Sequence, residues 1–298
     1  MRSPEQPIMQ DGSVSETESE IKKFEQTDER VNLRLIDELR ENFSELEYHN
    51  PEHSLGVGDK AVGFLPEGIS DRLRILTRTI GYAHDIIQTY NWRKETPQGI
   101  PIIGQKRFRD GGIIEQQSAQ YVSKLLLEEG IELTEEERGI LDEAIMGTVP
   151  GYSVELRTVT QPNLKEGSHD VAWAIGAADL GSAGDNPEQF LKDGDNVFRE
   201  DRMLPNLNTL DEVTLTALYQ EAIGWTASQV AYAEGQKQYW HREEVPEHIK
   251  SKLTKFDESV ALCQKRLERR QALFDDSKST KENLKTLLDD MKFTRFET

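Results

Sequence analysis

The sequence predicts an all-α protein that ends in long helices. Two observations point there. Apolar residues recur at spacings of three and four along most of the chain, the period of one helix face. No stretch alternates apolar and polar residues over a strand's length, and RTVTQ at 157–161 is the nearest to a strand candidate.

Taken in order, residues 1–27 are polar, acidic and poor in apolar side chains, the composition of a disordered segment. A first helix is expected over 28–43, where Val31, Leu33, Leu35, Ile36, Leu39 and Phe43 give one apolar face. A second starts near Pro51, a residue favoured in the first helical position. A third, over 70–90, follows Ser70 as N-cap and carries Leu73, Ile75, Leu76, Ile80, Ala83, Ile86 and Ile87. Residues 91–112 are rich in Pro and Gly and read as a long loop, a kind of segment that often carries function. Helices follow at 113–129, 134–147, 168–183 and 186–200.

After residue 208 the pattern changes. Helices are expected at 209–236, 246–275 and 279–292. The second of them spaces Ile249, Leu253, Phe256, Val260, Cys263 and Leu267 as a coiled-coil-like seam. That seam either packs a helical hairpin on the main domain or joins copies of the chain in a homo-oligomer. The expected division is a disordered 1–27, a main domain over 28–208 and a helical extension over 209–298.

The chain has 298 residues, 36 Lys plus Arg against 55 Asp plus Glu, and a formal charge of −19. Such a balance disfavours nucleic acid as a partner, because phosphate binding draws on basic groups. The single cysteine, Cys263, excludes a disulfide framework within the chain and a cysteine-built zinc site. No apolar run reaches membrane-spanning length, and the N-terminus lacks the pattern of a signal peptide. A cytoplasmic location is the expectation.

Several polar residues stand where apolar ones belong. Tyr48-His49-Asn50-Pro51-Glu52-His53 places two of the six histidines one turn apart at a helix start. His84 and Asp85 interrupt the most apolar part of the third helix. Asp179 is the one charged residue between Val171 and Gly184 and shares a face with Ile175. A buried carboxylate needs compensation, and imidazoles with carboxylates form a common ligand set for divalent cations. Singly, each has a plainer explanation: a cap, a surface residue, a carboxylate paired with an arginine.

The order His53, His84-Asp85, Asp179 resembles that of the HD superfamily of metal-dependent phosphohydrolases. Tyr48-His49-Asn50-x-x-His53 is similar to the YHNxxH signature of the cyclic nucleotide phosphodiesterases and of a bacterial HD branch. Ile114-Glu115-Gln116-Gln117-Ser118-Ala119 stands where that branch has NEExSA, and Asp179-Leu180-Gly181 where it has Asp-Leu-Ala. The resemblance covers about 28–205 and implies an HD-type helical bundle. It implies His53, His84, Asp85 and Asp179 as metal ligands, His49 as the proton donor to the leaving oxygen, and Glu115 as a supporting or second-metal acid. Two departures weaken a second metal position: Ile114 replaces Asn, and Ala144–Pro150 holds no histidine.

The function so implied is hydrolysis of a nucleotide or other small phosphoester, with metal-bound hydroxide as nucleophile and His49 as general acid. One or two divalent ions (Mn, Fe, Co, Ni, Zn or Mg) are expected per chain. Arg93, Lys94, Arg109 and Arg199 are the expected phosphate-binding residues, with Lys106, Arg107 and Arg202 nearby in sequence, and Tyr90, Trp92 or Tyr152 as stacking partners for a base. The alternative is a non-catalytic HD module that keeps a metal and binds a partner through the C-terminal helices. An oxygenase with a di-iron centre ranks third, because it needs more ligands than can be counted.

Overall fold

The computed structural model describes residues 17–95, 101–107, 112–200 and 207–293, and the side chains of all these except 90–95 and 101–107. It is all-α in class, with two small hairpins among the described residues.

Helix α1 (Glu18–Phe43) begins ten residues before the expected start. The reason is local. Thr17 and Glu20 form a reciprocal capping box, and Phe24 is buried, its ring 4.1 Å from the Arg72 guanidinium. Residues 18–27 are therefore helical, while 1–16 lie outside the described residues. Val31, Leu35 and Leu39, four apart, carry the buried face. Asp28 is buried on that helix and accepts hydrogen bonds from the Thr79 hydroxyl (2.6 Å) and the Asn32 amide (2.8 Å). Burial pushes its carboxyl up to about 6, partly opposed by those two bonds.

Helix α2 (Pro51–Phe64) starts as its sequence suggests. Asn50 is the N-cap and accepts from the His53 N–H at 2.9 Å, with Pro51 at the first position. Helix α3 (Asp71–Ala83) is capped by Ser70. It ends at Ala83 rather than near 90, so His84 and Asp85 fall just past its last turn. The two helices touch at paired glycines: a Cβ on Gly81 would lie 2.4 Å from the Gly58 Cα, and one on Gly58 would lie 2.5 Å from the Arg78 carbonyl oxygen. This close approach packs α2 tightly against α3.

Residues 91–112, expected as loop, contain an antiparallel hairpin of β1 (Tyr90–Glu95) and β2 (Pro101–Arg107). Its sequence lacks period-two alternation, so the pairing was not visible in the pattern. Helices α4 (Ile113–Glu128) and α5 (Glu135–Gly147) follow as expected, the second opened by a Thr134–Glu137 capping box. A second hairpin joins β3 (Gly151–Ser153) to β4 (Thr158–Thr160), the latter within RTVTQ.

Helix α6 (Asp170–Leu180) runs through the core, with every residue from Val171 to Ala178 buried. The chain continues through α7 (Ser182–Asp185), α8 (Pro187–Glu200) and α9 (Glu212–Trp240). The helix expected over 246–275 is instead α10 (Glu247–Lys250) and α11 (Phe256–Gln271), and α12 (Thr280–Asp290) closes the described chain. Of the two readings of the coiled-coil-like seam, the described residues fit packing on the main domain. Ile249, Leu253, Phe256 and Cys263 are buried in the main core with Ala233, Tyr239 and Trp240, so they face this chain's own helices. A second cluster packs α12 leucines 284, 287 and 288 on Phe198, Leu215 and Leu218.

No helix among the described residues is long and apolar enough to cross a membrane.

Candidate metal centre

Three elements converge on one point. His53 sits in the first turn of α2, His84 caps the C-terminus of α3, and Asp179 lies in the last turn of α6. One ligand atom from each falls within 4.8 Å of the others. His53 Nε2 stands 3.4 Å from Asp179 Oδ1 and 3.8 Å from Asp85 Oδ2. His84 Nε2 stands 3.2 Å from Asp85 Oδ2 and 3.8 Å from Asp179 Oδ1. The four residues expected as ligands are thus gathered, with Asp85 beside both imidazoles.

Both Nε2 atoms are buried, and neither has a hydrogen-bond partner. An unpaired buried imidazole nitrogen is costly, and a cation between two such nitrogens and two carboxylates satisfies all four. The tautomer is set for this. His84 Nδ1 donates to the Gly81 carbonyl at 2.7 Å, which leaves the Nε2 lone pair towards the carboxylates. Burial lowers the affinity of His84 for a proton, but the Asp85 and Asp179 charges outweigh it and push the imidazole up to about 9. A cation would take the place of that proton. On the other carboxylate oxygen, Asp179 Oδ2 accepts from the Gln161 amide at 3.1 Å. Gln161 is itself buried, its backbone N–H and C=O both bonded to the Tyr239 hydroxyl at 3.0 Å.

His49 has a different setting. It precedes α2 and is 9% exposed, with its Nδ1 2.5 Å from Glu200 Oε1. The other Glu200 oxygen accepts from the backbone N–H of Tyr48 (2.7 Å) and His49 (2.8 Å). Burial raises the Glu200 carboxyl, but the His49 ring and the two N–H donors prevail and hold it down at about 2. Tyr48 packs between the two histidines, with ring centroids 4.7 Å from His49 and 4.5 Å from His53. Burial, then the nearby Asp179 charge, keeps its hydroxyl protonated.

His49, His84, Asp85 and Asp179 line a cavity of about 300 Å³ whose far walls include Tyr152, Phe190, Trp225 and Tyr232. A smaller polar cavity of about 220 Å³ shares Tyr48, Asp179 and Asp193 with it and is edged by Lys60 and Lys192. Asp193, on α8, has its carboxyl raised by burial, with His53 the strongest opposing charge.

Glu115 is buried in the first turn of α4. One turn on, the Ser118 hydroxyl accepts from the Ile87 N–H, two residues past Asp85. Glu115 is outside the close His53–His84–Asp179 group. Arg199, expected at a substrate phosphate, is corrected to a structural part: its guanidinium donates to the Met291 carbonyl (2.7 Å), Asn196 (2.5 Å) and Glu47 (3.3 Å), joining α8 to the end of α12. Arg109 lies outside the described residues, as does Arg202. Arg93, Lys94, Lys106, Arg107, Tyr90 and Trp92 lie on β1 and β2, where side chains are not described. Tyr152 does line the cavity.

Sequence reasoning missed Glu200, Gln161 and Asp193. Glu200 and Asp193 sit in a charged helix, RE and KDGD, where nothing marks one acid from another. Gln161 ends the RTVTQ stretch, and only its burial distinguishes it.

No family model, curated protein or solved structure matches this chain.

Proposed function

We propose that this chain is a metal-dependent phosphohydrolase acting on a nucleotide-sized phosphoester, a reading that joins the site's geometry to the HD-like order of its ligands. The observation that carries it is the pairing of two unlike histidine sites, one holding His53 and His84 and the other His49, around the same convergence of helices. Two buried Nε2 atoms without partners face two carboxylates, while His49 is bound to a carboxylate of its own.

His53, His84, Asp85 and Asp179 would hold the cation. When bound, a divalent ion supplies Lewis-acid stabilisation of the phosphoryl oxygens and a lowered pKa for a coordinated water. The chain's residues do the rest. Gln161 and the Gly81 carbonyl hold Asp179 and His84 in orientation. Glu200 orients His49 by accepting from Nδ1, and Nε2 is the position assigned to donate the proton. The attacking water gives one proton to solvent, its oxygen bonds to phosphorus as the ester P–O bond breaks, and the leaving oxygen takes the His49 proton. Solvent reprotonates His49 as the products depart. The aromatic wall excludes water and offers rings to an organic group. A cation-holding module without catalysis needs no proton donor, and the His49–Glu200 pair therefore favours the enzyme.

The test separates His49 from His53. Protein loaded with Mn is assayed on phosphorylated metabolites. His53→Ala should lose metal and turnover together. His49→Ala should keep its metal and lose about 10²–10⁴-fold in turnover, and less on a nitrophenyl ester whose leaving oxygen needs no proton. Equal metal loss in both variants would make His49 a ligand. Unchanged turnover in His49→Ala on poor leaving groups would favour the binding module.

A further inference from the structure

Among the described residues, the lining of the larger cavity includes one arginine, Arg157, and no lysine. It ends the four-residue turn, 154–157, between β3 and β4. Its φ is 53°, in the left-handed region, and among described non-glycine residues only Lys292 shares that conformation. A side chain with a Cβ resists it. The surrounding structure imposes it from both sides. The Leu156 carbonyl lies so close to α9 that a Cβ on Gly235 would sit 2.0 Å from its oxygen. Thr158 is fully buried, donating to the Tyr232 carbonyl (3.3 Å) and accepting from the Gln236 amide (2.8 Å), which also donates to the Val159 carbonyl (2.6 Å).

The chain is thus clamped before and after Arg157, yet Arg157 itself is exposed and makes no ion pair among the described residues. It is not paired with Asp85, Asp179 or Asp193, the acids of the same cavity. A strained backbone that positions a cation with no partner fits a ligand contact better than a packing role. An arginine is suited to forked recognition of phosphate oxygens.

We propose that Arg157 forms an anion subsite separate from the metal centre, and that the ligand is a mononucleotide with two separate phosphates. The assignment of one phosphate to the centre rests on the phosphohydrolase reading; the subsite itself rests on Arg157. A cavity of about 300 Å³ is at the lower end for organic ligands, which suits one nucleoside rather than two. Trp225 and Tyr232 on the α9 wall, with Tyr152 on the hairpin, offer rings to the base.

The experiment uses the full chain, both metal-free and Mn-loaded, titrated calorimetrically with adenosine 5′-monophosphate and adenosine 3′,5′-bisphosphate. Wild type should bind the bisphosphate about 10-fold tighter or more, the worth of one charge-assisted contact. In Arg157→Gly that preference should fall to about 2-fold or less, and Arg157→Lys should restore part of it. Glycine accepts the left-handed conformation without strain, so Arg157→Gly should melt no lower than wild type. No preference in wild type, or an equal preference in Arg157→Gly, overturns the subsite. Metal-dependent hydrolysis without an Arg157-dependent preference would refute the subsite and leave the phosphohydrolase reading intact. An Arg157-dependent preference that appears in metal-free protein, with no hydrolysis of any ester after loading, would support the subsite and count against the enzyme.

Discussion

Two regions of this molecule bury charged groups, and they meet the cost in opposite ways. On the C-terminal side Arg270 is 1% exposed, and each of its nitrogens has a protein partner. It donates to both oxygens of Asp195 (2.9 and 2.7 Å), to Asp290 (2.9 Å) and to Thr226 (3.0 Å). At the convergence of α2, α3 and α6 the bookkeeping is left open: His53 Nε2 and His84 Nε2 are as deeply buried and have no hydrogen bond. Arg270, closed by protein groups, ties together α8, α9, α11 and α12. Two ring nitrogens that no hydrogen bond of the chain closes are placed for something brought from outside.

The two regions should respond to mutation in different ways. The largest effect is expected from His84→Ala. Bound metal, read by elemental analysis, should fall from near one ion per chain to near zero, turnover should drop by about 10²-fold or more, and the rise in melting temperature on adding Mn should vanish. Retention of metal by this variant would break the comparison at its open end. Arg270→Met probes the closed end. Removing one member of a buried charge cluster strands the others, at roughly 3–5 kcal/mol in denaturant unfolding, while metal per folded chain stays at the wild-type level. Loss of metal in step with stability would mean that the two regions are one.

Asp28 gives the smallest effect and sharpens the contrast, since its partners, Thr79 and Asn32, are neutral. Its carboxyl titrates at about 6 in the fold against 3.8 ordinarily. The folded state therefore prefers the protonated form. Its stabilising contribution is whole below about pH 4 and is lost as the pH rises through about 6. Asp28→Asn should match wild type at pH 4 and exceed it by roughly 1–3 kcal/mol at pH 7. A constant difference across that range would show that the carboxyl is not the source.

His84 and Asp179 were legible because each is polar in an otherwise apolar helical setting, whereas their grouping with His53 came from the resemblance of their order to the HD superfamily. The helical class was legible for the same reason, through periodicity. What escaped depended on contacts distant in sequence. Glu200 matters only because the chain brings it 151 positions back to His49. Gln161 matters only through Asp179. The β1–β2 hairpin has no alternation to betray it. The early start of α1 was written in Thr17-x-x-Glu20, a capping box hidden by its acidic surroundings. The break before α11 falls after Ile249, where the apolar spacing runs on unchanged although the helix does not.

The contact at Gly235 has a bearing on how such a protein can be taken apart. The turn that carries Arg157 rests on α9 with no room for a methyl group between them, and the same helix supplies Trp225, Gln229 and Tyr232 to the cavity wall. The last ninety residues, which the sequence presents as an appendage, therefore supply one wall of the chamber, Trp225, Ser228, Gln229 and Tyr232. A fragment ending near 208 would keep the four ligands and lose the α9 wall of the cavity beside them. Modularity in this chain stops at the level of the secondary-structure element, and homologous pieces could be exchanged only with the hairpin and α9 moved together.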